Sequence, residues 1–211
     1  MDAPITVTLV IITGIISFIA FNNRAYYAQA MFSPYQITRD RSYYRFISAG
    51  FVHADFTHLM FNMLSLWMIG RSIEGWFLEA FGSPLPYVFL YFGGLVASAI
   101  PDYFKHRDNP MYRAIGASGA VSGVIFALIF FEPWDVKLGF FIIPPIIPSV
   151  IFGGLYLAFS SYMSKQNRDN IGHDAHFWGG VWGFFFTMVI SAILRPDLVS
   201  LFIEKLTHPH F

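Results

Sequence analysis

AIGASGAVSGVIFALIFF, residues Ala114–Phe131, runs for eighteen positions without a charged side chain yet holds two hydroxyls, Ser118 and Ser122. A second uncharged run, AHFWGGVWGFFFTMVISAIL from Ala175 to Leu194, carries His176 at its start. Segments of this length and apolarity suit a bilayer, where an unpaired hydroxyl or imidazole costs on the order of several kcal/mol. Groups kept at such depth pair with one another or line a wet cavity. A serine and a histidine facing each other there point to hydrolysis inside the membrane.

The rest of the chain agrees with a membrane setting. Of 211 residues, 55% are apolar, 19% aromatic and only 12% charged, against roughly 25% charged in a soluble domain. Formal charge is zero and the basic residues form no long cluster, so nucleic acid is excluded as a partner. With no cysteines, disulfides and thiol chemistry are excluded while the compartment stays open. The first apolar run, Ile5–Phe21, follows Asp2 without a basic leader or a small-residue cleavage motif, and is expected to be a retained span.

Six segments approach the length of a helical span, about 20 residues with latitude for tilt. They are residues 5–21, 58–77, 85–100, 114–131, a proline-interrupted stretch from Leu138 to Tyr162, and residues 175–194. Pro144, Pro145 and Pro148 cannot continue a regular helix, so the fifth is expected over about 149–163. Turn formers fill the short links: Gly82-Ser83-Pro84, the polar run Pro101–Arg113, Glu132–Asp135 and Ser164–Asn170. The stretch from Asn22 to Thr57 is too long for a plain connection and rich in aromatics, so it is expected to lie partly in the interface. The fold class is therefore all-α: one polytopic domain over residues 1–211, a six-helix bundle with a long first loop.

Parity then gathers the polar residues. The second, fourth and sixth spans run in one direction, so His58 and Asn62, Ser118, and His176 all lie within about one to two turns of helix starts on the same membrane face. Loops on that face carry nine basic residues, Arg24, Arg39, Arg41, Arg45, Lys105, Arg107, Arg113, Lys165 and Arg168, against Arg71, Lys137, Arg195 and Lys205 opposite. By charge alone the site would face the cytoplasm, unless the arginines of the long loop snorkel.

Serine needs an adjacent base to attack a carbonyl, and His176 is the candidate. Gly116, Gly119 and Gly123 around Ser118, and Gly179, Gly180 and Gly183 below His176, allow the fourth and sixth helices to meet closely. Ser118 near a helix start also brings unpaired backbone N–H groups to developing negative charge. His58 and Asn62, at i and i+4, share one helix face and can add donors. Each feature alone has a plainer reading: small residues as helix packing, a serine bonded to its own helix, a histidine in an interhelical bond. Their coincidence at one depth favours catalysis.

These residues carry a resemblance to the rhomboid intramembrane serine proteases, from Tyr44-Arg45 to Gly183. GASG at Gly116–Gly119 resembles the family's GxSG, Ala175-His176 with Gly179 its AHxxG, and HLMFN from His58 to Asn62 its HxxxN; GHDAH and the proline-rich approach to the fifth span are also similar. The resemblance implies Ser118 as nucleophile and His176 as base, a dyad without a third acid, with His58 and Asn62 at the oxyanion site. It further implies a six-helix core, no cofactor, transmembrane proteins as substrates, lateral access between the second and fifth spans, and a multi-pass place in a bacterial cell membrane with the site facing outward, against the charge count. Two positions depart: Tyr44 replaces the usual tryptophan before Arg45, and Ser122 stands where some members place an aromatic against the histidine.

Asp174, two residues before His176, is on a different helix face and reads as a loop carboxylate. His53 is expected to sit wet at the interface, and Arg71 and Glu74 to be structural. A metal-dependent protein is one alternative, since His173 and His176 stand at i and i+3 with Asp174 adjacent, but HExxH is absent and no third ligand is evident. A non-catalytic binder of membrane helices is another. A transporter is disfavoured by the scarcity of charge within the spans. No oligomeric state, and no role for the tail from Arg195 to Phe211, follows from the sequence.

Overall fold

Proline opens the first helix: α1, Pro4–Asn22, starts on the one residue that loses nothing by lacking an N–H there. In the computed structural model, which describes residues 3–138, 146–166 and 172–209, that helix has no side-chain cap of its own. Its cap comes from Glu74, a buried carboxylate that accepts from the N–H groups of Ile5 and Thr6 at 2.9 and 2.7 Å. Glu74 is thus structural, as expected, and Arg71 lies over the Trp67 ring, 4.8 Å from its centroid.

The long first loop is folded. It contains α2 (Arg24–Ala30), α3 (Pro34–Asp40) and α4 (Arg45–Ser48), followed by a 3-10 turn at Ala49–Phe51. Asn23 and Ser33 accept from the N–H groups of Tyr26 and Gln36 and so start α2 and α3. Arg45 does not snorkel. It is buried, and its Nη1 donates to the carbonyls of Ala28, Gln29 and Met31 at 3.1, 2.6 and 2.8 Å while Nε donates to Ser42 Oγ at 2.9 Å. A guanidinium offers five donors in a planar fork, enough to close a loop around itself.

Helical structure through the second expected span runs unbroken from α5 (Phe56–Ser65) through a π-helical segment (Leu66–Gly70) into α6 (Arg71–Phe81), where Gly82 at φ 65° ends it. It begins two residues earlier than expected because Asp55 caps it, accepting from His58 N–H at 2.8 Å. The third helix, α7 (Leu85–His106), passes through Pro101 into what the sequence marks as a polar link. Its polar end is held from outside: Asp102 accepts from the Tyr112 hydroxyl at 2.6 Å and Lys105 pairs with Asp174 at 2.9 Å.

The fourth helix, α8 (Ser118–Phe131), starts four residues later than the apolar run. Ala114 instead bridges in extended form to Phe32, Gly116 N–H donates to Ala49 O at 2.8 Å, and Gly116 takes φ 104°, a conformation closed to most side chains. A two-residue hairpin pairs β1 (Lys137–Leu138) with β2 (Ile147–Pro148) ahead of α9 (Ser149–Gln166). Pro148 therefore sits in a strand before the helix, while Pro144, Pro145, Asn170 and Arg168 lie outside the described residues. The last helices are α10 (His173–Leu194) and α11 (Pro196–Thr207). The tail is thus a helix, docked by Phe202 stacked on Phe130 (5.0 Å), by Lys205 paired with Glu132 (2.8 Å) and by Trp134 Nε1 donating to Leu206 O (3.3 Å).

Helices α7, α8 and α10 pack together at the centre. A Cβ on Gly94 of α7 would lie 3.0 Å from Ala120 Cα of α8, and Trp182 of α10 donates its indole N–H to Leu90 O of α7 at 3.0 Å. Among the described residues three helices, α1, α7 and α10, are long and apolar enough to cross a membrane, and α8 is shorter but apolar and almost wholly enclosed. The chain is mostly helical with several apolar helices, as the sequence implies.

Candidate active site

Backbone contact brings the starts of α8 and α10 together. A Cβ at Gly179 would overlap the carbonyl oxygen of Gly119, and one at Gly183 would overlap the backbone of Gly123. Gly119 follows Ser118 directly, and a Cβ on it would meet the carbonyl oxygen of Ala175, the residue before His176, at 3.4 Å. Ser118 and His176 thus lie beside a close approach of the two helices that carry them on their first turn. Both are half-buried, enclosed yet within reach of another molecule. Gly180 meets the Phe126 ring instead of the α8 backbone.

Ser118 is the first residue of α8, so its N–H belongs to the group that no helical carbonyl satisfies. The turn before it is fixed by two histidines. A Cβ on Gly116 would lie 2.7 Å from His58 Cε1 and 2.9 Å from Nε2, so the His58 imidazole edge fits the gap that the glycine leaves, two residues from Ser118. His53 Nε2 accepts the N–H of Ala117 at 3.4 Å, and its Nδ1 lies 2.9 Å from Ser17 Oγ, which itself is 2.9 Å from Phe51 O. A carbonyl can only accept, so Ser17 donates to Phe51, Nδ1–H donates to Ser17, and Nε2 is free to accept. His53 is completely buried. It does not sit wet at the interface: its ring makes hydrogen bonds within the protein on both nitrogens, and packs edge-to-face on His58 at 4.9 Å. Burial pushes its pKa down to about 3, with His58 adding to the effect and Asp55 opposing it.

Asn62, one turn after His58, is buried and donates through Nδ2 to His58 O at 3.0 Å. One amide hydrogen of two is thereby held within its own helix. The starts of α5, α8 and α10 accordingly gather at one end of the bundle, as parity implies.

Ser122 does not leave His176 without an aromatic neighbour. The ring comes from α9: Tyr156 stacks on His176 with centroids 6.1 Å apart and planes 26° from parallel, and its hydroxyl lies 2.7 Å from Ser122 Oγ. Nothing in the sequence spacing links Tyr156 to His176, because twenty residues and the link after α9 separate them. Asp174 is held by Lys105 and by the hydroxyl of Ser164, tying α7, α9 and α10 together. His173 is buried edge-on to Phe159. Among the described residues no three His, Cys, Asp or Glu side chains gather as ligands for an ion.

The family description "Rhomboid domain" matches residues 40–193, well over half of the chain. RHOMBOID-like protein 12, mitochondrial, of Arabidopsis thaliana is 25% identical over 175 residues, which cover 74% of this chain and 50% of the relative. RHOMBOID-like protein 5 of the same plant is 29% identical over 159 residues, 73% of this chain and 45% of the relative. Rhomboid protease GluP of Bacillus subtilis (strain 168) is 28% identical over 144 residues, 68% of this chain and 25% of the relative. The chain spans half or less of the length of each of these curated relatives.

Proposed function

The chain belongs to the rhomboid family, and from that premise, which makes it a multi-pass integral membrane protein, we propose that it is a serine endopeptidase that cleaves single-span membrane proteins. Ser118 is the nucleophile and His176 its general base. As Ser118 Oγ attacks the scissile carbonyl carbon, its proton passes to His176, and the carbonyl oxygen takes up negative charge. The Ser118 N–H, the His58 imidazole and the second amide hydrogen of Asn62 stabilise that oxygen, each such donor being worth roughly 10²- to 10³-fold in turnover. Protonated His176 then gives its proton to the departing amine. Water, deprotonated by the same imidazole, hydrolyses the ester on Ser118 and restores the hydroxyl.

The observation that carries this reading is the backbone contact of Gly119 with Gly179 and Ala175, which sets the two helix starts against each other. The turn at Gly116, braced by His53 and His58, supports the oxyanion role. Six crossings account for the helices: α1, α5 with α6, α7, α8, α9 and α10. The site faces away from the cytoplasm of a bacterial-type cell. Arg45 spends its charge on protein carbonyls and Lys105 on Asp174, so the basic count of that face overstates what a membrane potential or lipid surface would feel.

The test is cleavage of a synthetic single-span peptide, with small residues interrupting its helix, by purified protein in detergent. Wild-type protein cleaves it, and Ser118→Ala and His176→Ala, folded by thermal melting, do not. Cleavage at wild-type rate by either variant would refute the assignment, and a folded wild-type chain that never cleaves would favour a non-catalytic binder of membrane helices.

A further inference from the structure

Ser122 stands one turn after Ser118 and has a single hydroxyl hydrogen. Its Oγ lies 2.8 Å from the carbonyl oxygen of Ser118, which can only accept, so that hydrogen is committed. The Tyr156 hydroxyl, 2.7 Å from the same Oγ, must therefore be the donor. A directed chain results, from the Tyr156 phenol through Ser122 to the backbone of Ser118. The Tyr156 ring is wedged between Phe126 and Phe152, each 5.8 Å away, and lies nearly parallel to the imidazole of His176. One side chain from α9 thus grips the helix of the nucleophile with its oxygen and the base with its ring.

We propose that Tyr156, anchored by Ser122, is the positioning residue of His176, and that the placement of the base depends through it on where α9 sits. The proposal rests on the reading of Ser118 and His176 as nucleophile and base. Ile151, Leu155 and Tyr162 on the outer face of α9 are exposed among the described residues, while its inner face touches α8 and α10. A shift of α9 by about 1 Å takes a 2.7 Å hydrogen bond beyond useful length. Displacement of this order at a catalytic group costs about 10²-fold in rate. Occupation of the space beside α9 would therefore be felt at the base without any contact to it.

Steady-state cleavage of the synthetic single-span peptide in dodecyl maltoside, with the full chain, tests this. Tyr156→Leu is expected to lower kcat about 10- to 100-fold with KM within about threefold of wild type, because the ring stacks on the base and its other contacts are Phe126 and Phe152. Tyr156→Phe keeps the ring, loses the anchor and is expected to fall only about three- to tenfold. Ser122→Ala should match it, and the double variant Ser122→Ala/Tyr156→Phe should lose no more than either alone, the mark of one shared interaction. Thermal midpoints control for folding; should Tyr156→Leu fail to fold, the volume-conserving pair decides. A wild-type kcat in Tyr156→Leu, a change confined to KM, or additive losses in the double variant would overturn the proposal while leaving the protease reading in place. A wild-type chain that neither cleaves nor takes a fluorophosphonate at Ser118 overturns both.

Discussion

Gly179 of α10 lies so close to Gly119 of α8 that a methyl group on it would overlap the Gly119 carbonyl oxygen. Because the neighbour is backbone, no rotamer can move aside. Gly179→Ala is expected to cost at least about 1–3 kcal/mol, the usual range of overpacking, and to lower cleavage by pushing the two helix starts apart. Gly14 of α1 meets nothing within 4 Å, so Gly14→Ala should leave both stability and cleavage near wild type. Thermal melting with the cleavage assay checks both; equal behaviour of the two variants would contradict the contact's role.

Glu74 supplies the cap that α1 lacks. Glu74→Ala leaves the N–H groups of Ile5 and Thr6 unsatisfied in a buried setting, and is expected to cost about 1–3 kcal/mol. Glu74→Gln retains one acceptor and should recover part of the loss. Thermal or denaturant unfolding in detergent measures the difference, and a wild-type midpoint in Glu74→Ala would contradict the capping role.

Arg45 closes the first loop on three carbonyls and a serine hydroxyl. A lysine has the charge without the planar fork. Arg45→Lys and Arg45→Ala are both expected to lower the melting midpoint and to speed proteolytic nicking between Asn22 and Tyr44. Nicking at the wild-type rate in Arg45→Ala would contradict the closure.

His53 makes stability depend on pH. Its folded pKa of about 3 lies below the ordinary value of 6.5, so below about pH 6.5 the unfolded chain binds a proton that the folded chain refuses. Stability is fully present above that pH and falls as acid is added toward the folded pKa, by at most about 1.4 kcal/mol per pH unit for one group. His53→Gln keeps an acceptor for Ala117 N–H and removes the titration. Its melting midpoint should fall less between about pH 7 and pH 4 than that of wild type, and parallel curves would contradict the burial of a neutral ring.

Much of this site is legible in the sequence because it follows from period and parity. An uncharged run marks the helix of Ser118, another that of His176, and an even number of crossings puts their starts at the same end. Glycines at three- and four-residue spacing identify the helices that touch. Long-range side-chain geometry is not legible. Tyr156 reaches His176, Glu74 reaches Ile5, and Arg45 reaches Ala28 across distances that carry no local pattern. The burial of His53 is hidden for the same reason: its partners, Ser17 and Ala117, come from segments far apart in the chain. Composition misleads at Pro101–His106, where polar residues suggest a loop but the Lys105–Asp174 ion pair and the Tyr112 hydroxyl on Asp102 hold a helix. At Ala114–Ala117 it errs the other way, since apolar residues suggest helix, whereas Ala114 bridges to Phe32 and Gly116 turns at φ 104° before α8 begins.

The proposed proteolysis requires that His176 activate Ser118. A fluorophosphonate probe reacts with an activated serine and spares a packing one, so mass spectrometry of the labelled protein reads that activation directly. The expected result is one adduct, on Ser118, formed by wild type and lost in folded His176→Ala. Absence of label from folded wild-type protein, or equal labelling in the presence and absence of the imidazole, would contradict it.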